Sequence, residues 1–152
     1  MEHAVISLSE ISRSLETHII EYYKVCLLKT NQFSTKYILQ KLIEYHKTHT
    51  KDLKSNLVGD TGKYFQADLP EKYRQQFINS RKINSFDIEN LNFVEATKLA
   101  IVLLNFQIEF YSQLAEDSDS ESLRDRLEKI IELKNNYIRD LETEFDRLNY
   151  RK

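Results

Sequence analysis

Gly59, Gly62 and Pro70 are the only two glycines and the only proline in the 152 residues, and they sit together near the middle of the chain. Glycine and proline are the residues that most readily end a helix. The sequence on either side of that stretch can therefore run in long unbroken helices, and its apolar residues recur at helical spacing. Segment A spans about 9–29, with Leu8, Ile11, Leu15, Ile19, Tyr22 and Cys26 on one stripe. Ser7, with Glu10 three residues on, makes a capping box in front of it. Segment B spans about 35–57, with Ser34 as its cap and a stripe of Ile38, Leu42, Tyr45, His46, His49, Leu53 and Leu57. Segment C spans about 93–116. Segment D spans about 121–149, and Ser118 with Glu121 repeats the capping box. Its stripe reads Leu127, Ile130, Lys134, Tyr137, Leu141, Phe145 and Leu148. One member of that stripe is a lysine.

The links differ in length. A joins B through "TNQF" and C joins D through the acidic "DSDS", and links this short make antiparallel neighbours. The B–C link is much longer and holds all three breakers; Pro70 is placed to open a short helix running to about Ser80. A loop of that length needs something to span. The expectation is an all-α chain forming a single domain over 1–152, two helical hairpins joined by one long crossover with a short helix in it. That is the ferritin-like arrangement of a four-helix bundle.

The hairpins resemble each other. An ungapped offset of 88 lays Leu15 on Leu103 and Leu42 on Ile130, and it pairs Ile20/Ile108, Glu21/Glu109, Tyr23/Tyr111, Ser34/Ser122, Leu39/Leu127, Glu44/Glu132 and Asp52/Asp140 as identities. One offset across two helices and the turn between them points to an internal duplication.

Charge and cysteine usage narrow the function classes. Lys and Arg number 22 against 24 Asp and Glu, a net charge of −2. The lack of a basic bias argues against nucleic acid and against an anionic membrane surface. Cys26 is alone, which excludes an internal disulfide and suits a reducing cytoplasm. The start "MEHAVISLSE" has no signal-peptide pattern, and the apolar run "LAIVLL" at 99–104 is too short to span a bilayer. There is no glycine-rich phosphate loop, no zinc-type cysteine cluster and no Ser/His/Asp set that the helices bring together. Cys26 reads as a small buried hydrophobe, the nine Tyr and eight Phe read as core, and His3 and His18 have no identified partner.

With "IEYY" and "IEFY" on the first helix of each hairpin, and "LIE" and "IIE" followed by "DL" on the second, the chain resembles the rubrerythrin-like branch of the ferritin-like superfamily over all four helices. That resemblance implies two irons in the bundle core and iron-dependent peroxide or oxygen chemistry. It implies a Glu seven residues before the Tyr on helices A and C, and a Glu-x-x-His on helices B and D. On this chain those positions read Glu16, Leu104, His46 with His49, and Lys134 with Tyr137. Glu16 and His49 keep the family's ligand type and His46 substitutes another; Leu104, Lys134 and Tyr137 depart from it. Two ferrous ions need about four carboxylates to balance them, and these positions offer one carboxylate and one ammonium.

The leading expectation is a non-enzymatic structural or interaction protein that has lost its di-iron centre and needs no cofactor. The alternative is a residual metal-binding protein holding a single iron or zinc at Glu16, His46 and His49, with rubrerythrin-like oxidoreductase or peroxide chemistry. On the leading view the two histidines are hydrogen-bonded core residues, and Lys134 points inward to pair with Glu16. Glu21, Glu44, Glu109 and Glu132 lie on faces turned to water. Segment C is apolar nearly all round, with Phe93, Val94, Leu99, Ile101, Val102, Leu103, Leu104, Phe106, Ile108 and Phe110. A helix without a polar face is buried on every side, so a homodimer through segment C is expected, as the resemblance also implies.

Overall fold

The structure, a computed structural model, describes residues 4–56 and 65–149. It is helical, as expected, apart from one two-residue strand pair. His3 and Leu57 lie outside the described residues, as do the side chains of Leu53 and Leu148. The chain divides into two compact units, Met1–Leu91 and Asn92–Lys152.

In the first unit, α1 (Leu8–Lys29) and α2 (Phe33–Asn56) form a hairpin. Ser7 caps α1, its Oγ accepting from the Glu10 amide at 3.2 Å. The buried stripe is Leu8, Ile11, Leu15, Ile19, Tyr23 and Cys26, spaced three or four residues apart. Each such aliphatic side chain contributes about 1.5–3 kcal/mol when fully buried. Tyr23 therefore replaces Tyr22 as the aromatic of the stripe. Cys26 is fully buried, and burial pushes its thiol up to about 11.

The turn between these helices corrects the expected start of segment B. Thr30 Oγ1 accepts from the Gln32 amide at 3.3 Å and the Lys36 amide already bonds to the Gln32 carbonyl at 3.0 Å. The helix thus begins at Phe33, leaving Ser34 exposed within its first turn rather than capping it. Thr35 is the hydroxyl put to use: buried, it donates to the Leu91 carbonyl at 3.1 Å and ties the end of the unit to the root of α2.

The remainder of the first unit packs onto α1. β2 (Phe65–Gln66) pairs antiparallel with β1 (Val5–Ile6), Val5 opposite Gln66 and Ile6 opposite Phe65. The short helix opened by Pro70 is α3 (Leu69–Ile78), ending two residues before the expected Ser80. Ser80 instead caps a further turn, α4 (Arg81–Asn84), through a 3.3 Å bond from the Ile83 amide. A 3-10 turn at Ile88–Asn90 follows. Pro70, Tyr73 and Phe77 form the buried face of α3. His18 stands edge-on to Phe77 at 4.6 Å and to Tyr73 at 5.8 Å, and Tyr22 to Phe77 at 5.0 Å. His18 thus has aromatic neighbours that sequence alone left unassigned.

The second unit is the hairpin of α5 (Phe93–Glu116) and α6 (Glu121–Asn149). Asn92 caps α5, accepting from the Glu95 amide at 2.8 Å. At the root of α6, Ser120 takes the capping role expected of Ser118: its Oγ accepts from the Leu123 amide at 3.2 Å. Ser118 accepts from the Ser120 amide and shapes the turn instead. The buried stripe of α6 is Leu123, Leu127, Ile130, Lys134, Ile138 and Leu141. Ile138 occupies the place expected of Tyr137, which is half-buried. Glu21, Glu44, Glu109 and Glu132 are exposed, as expected. Tyr23, Tyr73 and Tyr111 are fully buried, but Phe33 and Tyr37 are exposed, so the aromatic residues are not all core.

Candidate functional site

Each hairpin buries one polar cluster at mid-helix. In the first, Glu16 on α1 is fully buried, as are His46 and, nearly so, His49 on α2. Glu16 sits one residue after Leu15 and three before Ile19, so the packing stripe carries it inward. His46 and His49 follow Leu42 at spacings of four and seven and share its face.

The carboxylate is held by the His46 imidazole, with His49 standing farther off. His46 Nδ1 lies 2.5 Å from Glu16 Oε2 and His49 Nδ1 lies 3.7 Å from Oε1. Thr50 donates to the His46 carbonyl at 2.7 Å, back-bonding across one turn. The Tyr23 ring lies 5.8 Å from His46, and the Tyr45 ring lies 5.0 Å from His46 and 5.5 Å from His49. A carboxylate in such aromatic surroundings is costly unless paired, and His46 supplies a partner at 2.5 Å.

The geometry is that of a hydrogen bond. Two ligands held about 2.1 Å from a tetrahedral zinc stand about 3.4 Å apart. At 2.5 Å, His46 Nδ1 and Glu16 Oε2 are at hydrogen-bond distance; a metal between them requires the pair to open. Among the described residues, no group of three or more His, Cys, Asp or Glu side chains is disposed to hold a metal ion.

The second hairpin has different chemistry at the corresponding level. Lys134 is fully buried on α6 and donates from Nζ to Gln107 Oε1 at 2.8 Å. Its Nζ also stands 5.9 Å from the centre of the Tyr111 ring. Leu104, one turn before Gln107, is fully buried and contributes only apolar surface. The hydroxyl of half-buried Tyr137 is held well above the usual range, first by burial and then by the carboxylates of Glu144 and Asp140. Leucine has no donor atom, and a lysine ammonium and an un-ionised tyrosine are poor partners for a divalent iron. These three side chains supply none of the carboxylates or imidazoles that a di-iron centre takes.

Sequence reading missed Gln107. The offset of 88 lays Glu16 on Leu104 and His46 on Lys134, but it lays Gln107 on Ile19. The polar partner on the first helix of the hairpin has moved one turn along. Gln107 follows Leu103 by four and precedes Tyr111 by four, so its burial was legible from the stripe. Its significance was hidden because segment C reads as a uniformly apolar helix.

A groove of about 230 Å³ in the second unit is lined by Thr97, Lys98, Ile101, Glu142, Phe145 and Asp146. It contains neither Lys134 nor Gln107. Comparison with known proteins gives no match, whether to family models, to curated proteins or to solved structures.

Proposed function

We propose that this chain is a non-enzymatic, ferritin-like structural or interaction protein in which protein side chains have taken over the positions of a di-iron centre. The observation that carries the reading is Lys134: a fully buried ammonium at a position where the resemblance implies a metal ligand, already donating to Gln107. A fixed internal cation there repels a metal ion. The constant offset and the short hairpin links support two hairpins of one build, as in a ferritin-like fold.

The half-buried apolar residues of α5, among them Val94, Ile101, Val102 and Ile108, support a homodimer through that helix. The lone buried Cys26 suits the cytoplasm.

Calorimetric titration of the tag-free protein with ferrous iron under nitrogen tests the reading. No saturable heat is expected, and admitting oxygen afterwards gives no oxo-bridged absorption. Saturable uptake of two irons per chain refutes it. The convergence of both Nδ1 atoms on Glu16 favours one second reading, a single zinc or iron at Glu16, His46 and His49. One metal per chain, lost in His46→Ala, establishes that alternative.

A further inference from the structure

The tip of the first hairpin exposes apolar side chains. Leu28 and Phe33 are each 87% exposed, Tyr37 is 53% exposed and Val25 is 46% exposed. All four lie within two helical turns of the link between α1 and α2. They are set in a basic field. Between Glu21 and Glu44 the chain has no carboxylate but has Lys24, Lys29, Lys36 and Lys41, all exposed. Among the described residues, Lys24 pairs with Glu21 at 3.6 Å, whereas Lys29 and Lys36 enter no ion pair. The chain-wide charge of −2 conceals this local excess.

The second hairpin supplies an internal control. Under the offset of 88, Val25 falls on Gln113, Leu28 on Glu116, Phe33 on Glu121 and Tyr37 on Asp125. All four counterparts are exposed and polar. A hairpin of this build therefore needs no apolar residue at any of these positions. The capping and turn bonds of the first tip come from Thr30, Gln32 and Thr35, not from Leu28 or Phe33. Their apolar side chains serve something outside the hairpin.

We propose that this tip attaches the protein to anionic lipid bilayers, with Leu28 and Phe33 entering the headgroup region and Lys24, Lys29 and Lys36 facing the lipid phosphates. Single side chains that are 87% exposed protrude, and protruding side chains suit a soft interface better than a preformed protein pocket. Apolar insertion and lysine attraction are each weak alone and reinforce one another, which is the two-signal logic of peripheral attachment. Each lysine at the surface of an anionic leaflet raises partitioning about fivefold. No described helix is long and apolar enough to cross a membrane, so the attachment is superficial. The acidic tip of a second copy matches the lysines but has nothing to cover Leu28 and Phe33. This inference does not depend on the metal-free reading above.

Vesicle co-sedimentation of the full chain, without a tag, tests it. Vesicles of phosphatidylcholine alone are compared with an equal mixture of phosphatidylcholine and phosphatidylserine. Binding to the mixed vesicles is expected, much weaker on the neutral ones and falling as salt is raised. Leu28→Glu with Phe33→Glu copies the second hairpin and should abolish binding while leaving the helical circular dichroism unchanged. Lys29→Gln with Lys36→Gln should lower it about 25-fold and provides a second variant should the first not fold. Absence of binding to the mixed vesicles, equal binding to both, or full binding by either variant overturns the proposal. Self-association that disappears in the Leu28/Phe33 variant, with no vesicle binding by the wild type, also overturns it and assigns the tip to a contact between copies.

Discussion

Replacing Gln107 by methionine probes the less expected of the two buried clusters. Lys134 is fully buried and its Nζ donates to Gln107 Oε1 at 2.8 Å. Methionine keeps the length of the side chain and removes the acceptor, so the packing loss is small, below about 1.5 kcal/mol. The electrostatic loss is larger, because a hydrogen bond to a charged group is worth about 1.5–3 kcal/mol. Gln107→Met should therefore cost about 2–4 kcal/mol in urea unfolding. Lys134→Met removes the ammonium together with its desolvation penalty, and exchanges of that kind are often neutral or stabilising by about 1–4 kcal/mol. With Lys134 already methionine, Gln107 has no charge to serve and its substitution should cost only the packing loss. The double-mutant cycle should give a coupling of about 1.5–3 kcal/mol between the two positions. If the two effects simply add, or Gln107→Met alone costs less than about 0.5 kcal/mol, the pair is not the stabilising contact described here.

Further substitutions test other contacts. Burial and then the Arg74 guanidinium hold the His18 imidazolium pKa below the ordinary value of 6.5. The unfolded chain thus takes up that proton first, and His18 contributes stability that is present above about pH 6.5 and lost as pH falls through the lower folded pKa. His18→Phe, which copies Phe106 at the equivalent place, should flatten the decline in stability between neutral and mildly acid pH; parallel profiles would count against it. Ser120→Ala should cost about 1 kcal/mol and Ser118→Ala less, because Ser120 holds the Leu123 amide; thermal melts showing the reverse order would restore Ser118 as the cap. Glu16→Gln removes the carboxylate that His46 faces at 2.5 Å and should cost about 1.5–3 kcal/mol, and a change without effect in urea would sink that pairing.

Much of the helical layout was legible because helices are written in local spacing. Breakers confined to one stretch left four periodic segments, and α5 begins and ends where the pattern does. Boundaries failed where a side chain offered the backbone a competing bond. Thr30 turned the chain early, so Ser34 was drawn into α2, and Ser118 spent its hydroxyl on the turn, leaving the cap to Ser120. Strand pairing between residues near 5 and 66 joins segments with no local signal for each other, and sequence gave no hint of it. At the sites, the inward placement of Glu16, His46, His49 and Lys134 could be read from their stripes. Gln107 was missed because one amide on an otherwise apolar helix has little weight in a periodicity argument. The exposed tip was missed for the opposite reason, since Phe33 and Tyr37 were assigned with the other aromatic residues to a core they do not join.

The account turns on whether a metal belongs to this chain. Protein produced without a tag, in medium supplemented with iron and zinc and purified without chelator, should be assayed for both by inductively coupled plasma mass spectrometry. The proposal expects each metal well below one per chain, with the same thermal stability before and after dialysis against a chelator. Iron at two per chain contradicts it outright. One metal per chain whose removal lowers the melting temperature contradicts it in favour of a centre at Glu16, His46 and His49.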